Sequence, residues 1–185
     1  MTTVNSALVG LENLVYAKLT NEATNVYETP VAIAPAINAK IKPKVNSAIL
    51  YGDNRAVETV SALGEIEVEL EVTDLPLEVV AALLGHSLDA VTGVITYNVD
   101  DIAPYVALGF KAKKANGKYR YVWLLKGKFE EQEDEYATTE DKVKFTTPKI
   151  KGTFVSRSDS NWKYTADEDS GTVPVGFLSA VYAQA

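Results

Sequence analysis

The sequence predicts a mostly β protein, a two-sheet antiparallel β-sandwich carrying one short α-helix. Three observations predict it. Residues 65–72 alternate strictly, Ile66, Val68, Leu70 and Val72 pointing one way and Glu65, Glu67, Glu69 and Glu71 the other, the pattern of a strand with one dry and one wet face. The period then becomes helical, with Asp74 placed as a cap, Pro76 in the first turn and Gly85 just past the end. Farther on, Asn116-Gly117 sits between two extended runs, a strong hairpin signal. A strand and a helix that are each apolar on one side need a second layer to cover them.

The elements follow in order. Residues 8–20 carry a mixed signal, because Leu11, Leu14 and Val15 suit a helix while Val15, Ala17 and Leu19 alternate; we read an irregular lead-in and then a strand. Residues 21–25 form a polar turn, and residues 26–37 are extended, Pro30 and Pro35 making them an edge or irregular strand. Residues 38–44 alternate again, with Lys40, Lys42 and Lys44 opposite Ala39 and Ile41, so a basic strand precedes the acidic one. If the two pair, the opposed rows add roughly 0.2–1 kcal/mol per cross-strand pair, which fixes register more than stability. Between them, residues 45–63 hold Tyr51, Gly52, Asp53, Asn54 and Arg55 and read as a long inter-strand loop, too long and too polar for a tight turn.

In the helix, Leu77, Val80, Ala81 and Leu84 share a face. Residues 86–101 hold a turn at Thr92-Gly93 and a short strand after it. Residues 104–113 and 118–129 are the arms of the Asn116-Gly117 hairpin; the second places Tyr119, Tyr121, Trp123 and Leu125 opposite Val122 and Leu124, a strand covered on both sides in its middle. Residues 130–141, with seven acidic residues and no basic one, read as a solvated run. Residues 144–156 return to strand character, with residues 162–164 as their hairpin partner across 158–161. Residues 165–171 are acidic and read as loose, and the segment from 173 to the end is apolar enough to dock on something. The tally is about eight to ten strands in one domain spanning 1–185, with a C-terminal segment at 165–185 that can extend.

Composition narrows function. Without cysteine there is neither a disulfide nor a thiolate metal site within the chain. A net charge of −7 argues against general affinity for nucleic acid, although DNA could still pass along such a surface. The start lacks the pattern of a signal peptide and no stretch is long enough to span a bilayer, so a soluble protein made in the cytoplasm, without membrane contact, is expected. His86, the single histidine, lies past the helix stop, where a cation suits the helix dipole, and it has no Ser or Cys nucleophile in a recognisable setting. A row of four equivalent glutamates lacks the asymmetry that separates acid from nucleophile. Asp100 and Asp101, or Asp53 with Asn54, lack the spacing of a calcium loop, and the tyrosines and Trp123 at period two read as core. No catalytic residue, cofactor or metal is expected, and assembly is favoured over reaction.

Several stretches carry a resemblance. They are residues 9–14 (VGLENL) with Tyr16-Ala17-Lys18-Leu19, residues 63–72 (LGEIEVELEV), Asp74-Leu75-Pro76-Leu77 through Leu83-Leu84-Gly85-His86, Ala103-Pro104-Tyr105-Val106-Ala107 with Gly109-Phe110, residues 121–129 (YVWLLKGKF) and Lys151-Gly152-Thr153-Phe154-Val155. Together they resemble the major tail protein of long-tailed, non-contractile bacteriophages, especially those of Gram-positive hosts; a prophage or a tail-like bacteriocin would carry a similar protein. The resemblance implies a structural virion protein, made in the host bacterial cytoplasm, whose hexameric rings close through an inner β-barrel. The rings stack into a tube around a tape-measure protein, end at a tail terminator, and pass DNA to the host. It also implies that the 45–63 segment, with Tyr51, Asp53, Asn54 and Arg55, reaches a neighbouring subunit or ring. On this reading Glu65, Glu67, Glu69 and Glu71, with Lys40 and Lys42, face the channel or an adjoining subunit, and the repeated glutamates repel phosphates. The competing class is a monomeric binding module, carbohydrate-binding or adhesive, with Trp123 or Trp162 as its platform.

Overall fold

The computed structural model describes residues 6–132 and 147–183. Eleven strands and one helix follow one another among them: β1 (Leu8–Asn21), β2 (Val26–Tyr27), β3 (Val31–Ala32), β4 (Ala36–Gly52), β5 (Arg55–Val72), α1 (Leu77–Leu84), β6 (Ser87–Asp89), β7 (Val94–Thr96), β8 (Val106–Lys114), β9 (Tyr119–Phe129), β10 (Lys149–Val155) and β11 (Lys163–Asp167). Nine strands form one antiparallel sheet in the order β2-β1-β8-β9-β10-β5-β4, with β3 beside β1 and β11 beside β9; β6 and β7 make a separate small ribbon.

In a flat sheet β1 and β4 would lie about 24 Å apart, five strand spacings. Their backbones instead approach within 8 Å, so the sheet folds over on itself. The expected sandwich is therefore present, its layers being two wings of one sheet. Between the wings, Leu14 and Tyr16 of β1, Val106, Leu108 and Phe110 of β8, Ile150 and Phe154 of β10 and the four apolar residues of β5 form one core with α1. Ile66, Val68, Leu70 and Val72 are at most 1 % exposed, as their alternation with glutamate predicts.

The mixed signal at the N-terminal strand has a physical cause. Glu12 pairs with Lys111 and Val15 with Gly109, so two residues of β1 oppose one of β8, and Asn13 takes φ 53° at this bulge. The bulge puts Leu11 and Leu14, three apart, against the same core, which mimics helical spacing inside a strand.

Helix α1 starts later than expected. Pro76 occupies the cap position and its carbonyl accepts from the Val79 and Val80 N–H groups, whereas Asp74 accepts only from the Leu75 N–H. The buried side is Val79, Val80, Leu83 and Leu84, while Leu77 is exposed. Gly85 ends the helix as predicted, in the left-handed region at φ 83°, and a Cβ there would lie 2.4 Å from the Ile102 carbonyl oxygen.

Three further expectations are corrected. β11 does not pair with β10: both lie along one edge of β9, β10 against residues 126–129 and β11 against 120–124, like one strand interrupted by the 156–162 excursion. The run expected to be loose at 165–171 is anchored, because the buried Lys114 ammonium binds Asp167 at 2.5 Å and Asp169 at 2.6 Å. The long loop expected at 45–63 does not exist; those residues continue β4 and β5. The apolar C-terminal segment docks on its own sheet: Phe177 packs with Ala107, Trp123 and Leu125 on the side of β8 and β9 away from the main core, and its carbonyl accepts the Trp123 indole N–H at 2.8 Å. Most of the acidic run at 130–141 lies outside the described residues.

Candidate functional site

The β4–β5 hairpin combines two features that matter for function, a charged face near its base and an apolar arm at its tip. Near the base, register sets the chemistry. Lys40 pairs with Glu69 and Lys42 with Glu67 across β4 and β5, and on the other side of β5 Lys149 pairs with Glu71, Lys151 with Glu69 and Thr153 with Glu67. Directly opposed residues share a face, so the glutamate row runs between two lysine rows. Lys44 Nζ bridges Glu65 at 2.6 Å and Glu67 at 2.7 Å. That contact holds the Glu67 carboxyl below the usual range and raises the Lys44 ammonium, first through Glu65.

Lys128 of β9, opposite Thr153, extends this face, and the Glu130 carboxylate accepts the Thr153 hydroxyl at 2.9 Å. Lysines 40, 42, 44, 128, 149 and 151 thus share a face with glutamates 65, 67, 69, 71 and 130, Lys44 being the one whose ammonium lies within 4 Å of their carboxylates among the described residues. The basic and acidic strands do pair, and the face as a whole is close to neutral. It is not the bare acidic strip that would repel phosphates by itself.

Beyond Glu65 and Lys44 the two strands pair, among the described residues, only with each other. Val45 pairs with Leu63, Ile49 with Thr59, Ala48 with Val60 and Leu50 with Glu58, and the chain reverses through Asp53 and Asn54, at φ 49° and 56°. Positive φ at both central residues is the geometry of a two-residue primed hairpin turn, which Asp and Asn tolerate better than other non-glycine residues. Residues 45–63 are therefore an arm about 25–30 Å long. Val45, Ile49 and Leu63 lie on one face and Leu50 and Val60 on the other, each between 41 % and 62 % exposed, with Tyr51 67 % exposed near the tip. A loop was expected because alternation arises only where one face is buried and the other is wet. Here both faces are exposed and both carry apolar side chains, so no period shows.

The structure gathers the predicted site residues into one hairpin. Lys40, Lys42 and the four glutamates lie at its base, and Tyr51, Asp53, Asn54 and Arg55 form its tip. The lysines of β10 and Lys128 of β9 were missed, since their relation to the glutamates depends on non-local pairing.

The other candidates resolve as structural groups. His86, with a side chain 3 % exposed, has Nδ1 2.7 Å from Asp101 and Nε2 2.8 Å from Glu131, and its ring lies 4.4 Å from that of Tyr97. These carboxylates, Asp101 first, raise the imidazole pKa, and the Asp101 carboxyl is lowered in return. Trp123 is fully buried and cannot serve as a binding platform, and Trp162 packs partly buried against the core. Among the described residues no cluster of three or more His, Asp or Glu is placed to hold a metal ion, and no helix is long and apolar enough to cross a membrane.

A comparison with curated proteins finds no match. A family model described as phage tail tube protein matches residues 39–167, well over half of the chain, from the base of the hairpin to the last strand. This span contains the exposed arm, the charge-paired face and most of the core. The chain belongs to the phage tail tube protein family and is a structural component of the phage tail.

Proposed function

We propose that copies of this chain close into hexameric rings that stack into the tail tube, and that DNA passes through the tube to the host. The observation that carries this reading is the arm at 45–63, apolar on both faces and, among the described residues, without cover from its own chain. Contiguous apolar surface of this kind is uncommon on a protein that works alone. Among the described residues β4 also ends the sheet, with no further strand on its outer edge, and closing a ring of identical copies removes such edges. Pro43 lies in this edge strand, where a missing N–H costs least.

In the assembled tube the arm, with Tyr51, Asp53, Asn54 and Arg55 at its tip, contacts a neighbouring subunit or ring, and the charge-paired face lines the channel. Tape-measure and terminator proteins are the further partners, and synthesis takes place in the cytoplasm of a host, a Gram-positive one by the sequence resemblance. The role is structural, with no catalytic step. The reading as a monomeric binding module loses its Trp123 platform to the core.

The test is sedimentation velocity and negative-stain electron microscopy over a range of concentrations, with Ile49→Asp/Val60→Asp as the comparison. The unaltered chain forms rings or tubes as concentration rises, and the variant stays monomeric with an unchanged β spectrum. A chain that remains monomeric throughout, or a variant that assembles equally well, overturns the reading.

A further inference from the structure

We propose that the excursion between α1 and β8, residues 86–105, is the receiving surface for the arm of a second copy, so that successive copies join head to tail. The proposal rests on the reading that copies of this chain assemble, and it names what the arm meets.

This excursion holds apolar side chains outward on tied turns. In the β6–β7 ribbon Leu88 and Ile95 oppose each other on one face, Ile95 packing against the core, and Asp89 opposes Val94 on the other. Asp89 fastens the turn that follows it, its carboxylate accepting from the Val91 N–H at 2.9 Å and the Thr92 hydroxyl at 2.7 Å. The next turn is fastened in both directions: the Asn98 N–H donates to the Asp101 carboxylate at 3.0 Å, and the Asp101 N–H donates to the Asn98 carbonyl at 3.0 Å. His86, between Asp101 and Glu131, ties that turn to the end of β9. On this fixed frame Val91, Val94, Val99 and Ile102 are between 56 % and 98 % exposed. Turns ordinarily show polar side chains to water. Apolar ones held outward suit a partner, and little ordering is left for binding to cost.

Position selects the occupant. β5 begins at the turn of the arm with Arg55 and ends at Val72, just before α1 and the ribbon. Its 18 residues span on the order of 55 Å, so the arm leaves one end of the body and residues 86–105 sit at the other. An arm cannot reach its own ribbon, but in two copies placed end to end the apolar surfaces face each other. Charge points the same way: Arg55, beside Asp53 at the tip, is the one cation in residues 45–63, while residues 87–110 contain Asp89, Asp100 and Asp101 and no lysine or arginine. A contact between two different patches repeats from copy to copy. It therefore stacks copies, whereas pairing at the β4 edge closes a ring.

The experiment uses the full-length chain, which has no cysteine of its own. Tyr51→Cys and Val91→Cys are purified separately, one of them carrying a tag that distinguishes it by mass, then mixed and treated with a short flexible bismaleimide. The expected product is the mixed pair, with little cross-linking of either variant alone. In sedimentation velocity, Val91→Asp/Val99→Asp raises the concentration at half-assembly at least about tenfold while its β spectrum is unchanged. Mixed with Ile49→Asp/Val60→Asp it forms mixed pairs that grow no further, because each variant keeps one working end. Cross-linked Tyr51→Cys homodimers in place of mixed pairs, which would seat arm on arm, overturn the proposal. So do an absence of mixed pairs and assembly of Val91→Asp/Val99→Asp equal to that of the unaltered chain. Electron microscopy separates the two readings: tubes together with any of these results leave the tube and sink this joint, whereas mixed pairs from a chain that never forms rings or tubes keep the joint and sink the tube.

Discussion

At the scale of single residues, two cross-strand pairs of glycine with an aromatic show how tightly this sheet is specified. Gly127 faces Phe154 and Gly109 faces Trp123, each directly across a strand pair. A Cβ on Gly127 would lie 2.3 Å from the Phe154 ring, and one on Gly109 2.7 Å from the Trp123 indole. Both aromatics are essentially unexposed and cannot swing away. Gly127→Ala should therefore destabilise the chain by about 1–3 kcal/mol through overpacking, read as a drop in denaturant midpoint. A midpoint equal to wild type would show that the ring has room to move.

His86 provides a pH readout from one resonance, because the chain has no other histidine. Its ring nitrogens face Asp101 and Glu131, which favour the protonated form. A group whose pKa is raised on folding contributes stability that is fully present below its unfolded value, about 6.5, and is lost as pH rises through the folded value. A nuclear magnetic resonance titration should find His86 above 6.5, with Asp101→Asn lowering it more than Glu131→Gln. Titration at or below the ordinary value would remove the ion-pair description.

At the scale of elements, legibility followed burial. Strand β5 could be read residue by residue because one face is dry and the other charged, and β9 showed its double cover through apolar residues on both faces. The arm hid for the opposite reason, since symmetrical exposure leaves no period. Its turn was hidden too, because Asp53-Asn54 is a weaker turn signal than the Asn116-Gly117 of the other hairpin. The bulge at Asn13 shifted the phase of β1 and produced a false helical spacing. Strand partners were the least legible: β11 follows β10 by a short excursion yet lies beside β9, and sequence proximity does not reveal that choice. The elements also differ in how firmly they are held. Among the described residues the arm has only its own ladder, whereas β8 and β9 are packed on both sides. Arm amides should exchange with solvent much faster than those of β9 in the free chain, and slow sharply on assembly. Slow exchange in the isolated chain would mean that its own body covers the arm.

At the scale of the whole molecule, one folded sheet supplies three different surfaces. Its inner side is a continuous core closed by α1, and the second side of β8 and β9 is sealed by the C-terminal segment through Phe177 and Trp123. The β4–β5 hairpin is left over, with a neutral charged face at its base and apolar surface at its tip. That division explains how a chain with a complete core of its own can still have an incomplete surface. The family was legible from the sequence because its matching stretches include core strands, the helix and its glycine stop, all constrained by packing. The neutrality of the glutamate face was not, because it arises only when β10 and β9 are laid beside β5.

The most direct measurement is a cryo-electron microscopy map of the assembled tube at a resolution that separates strands. The outer edge of β4 should be hydrogen-bonded to a strand of the neighbouring copy, residues 45–63 should be buried against another subunit, and Glu67 and Glu69 should face the channel beside Lys42 and Lys151. A map with the β4 edge and the arm in solvent, or with the glutamate ladder on the outside of the tube, would contradict this arrangement.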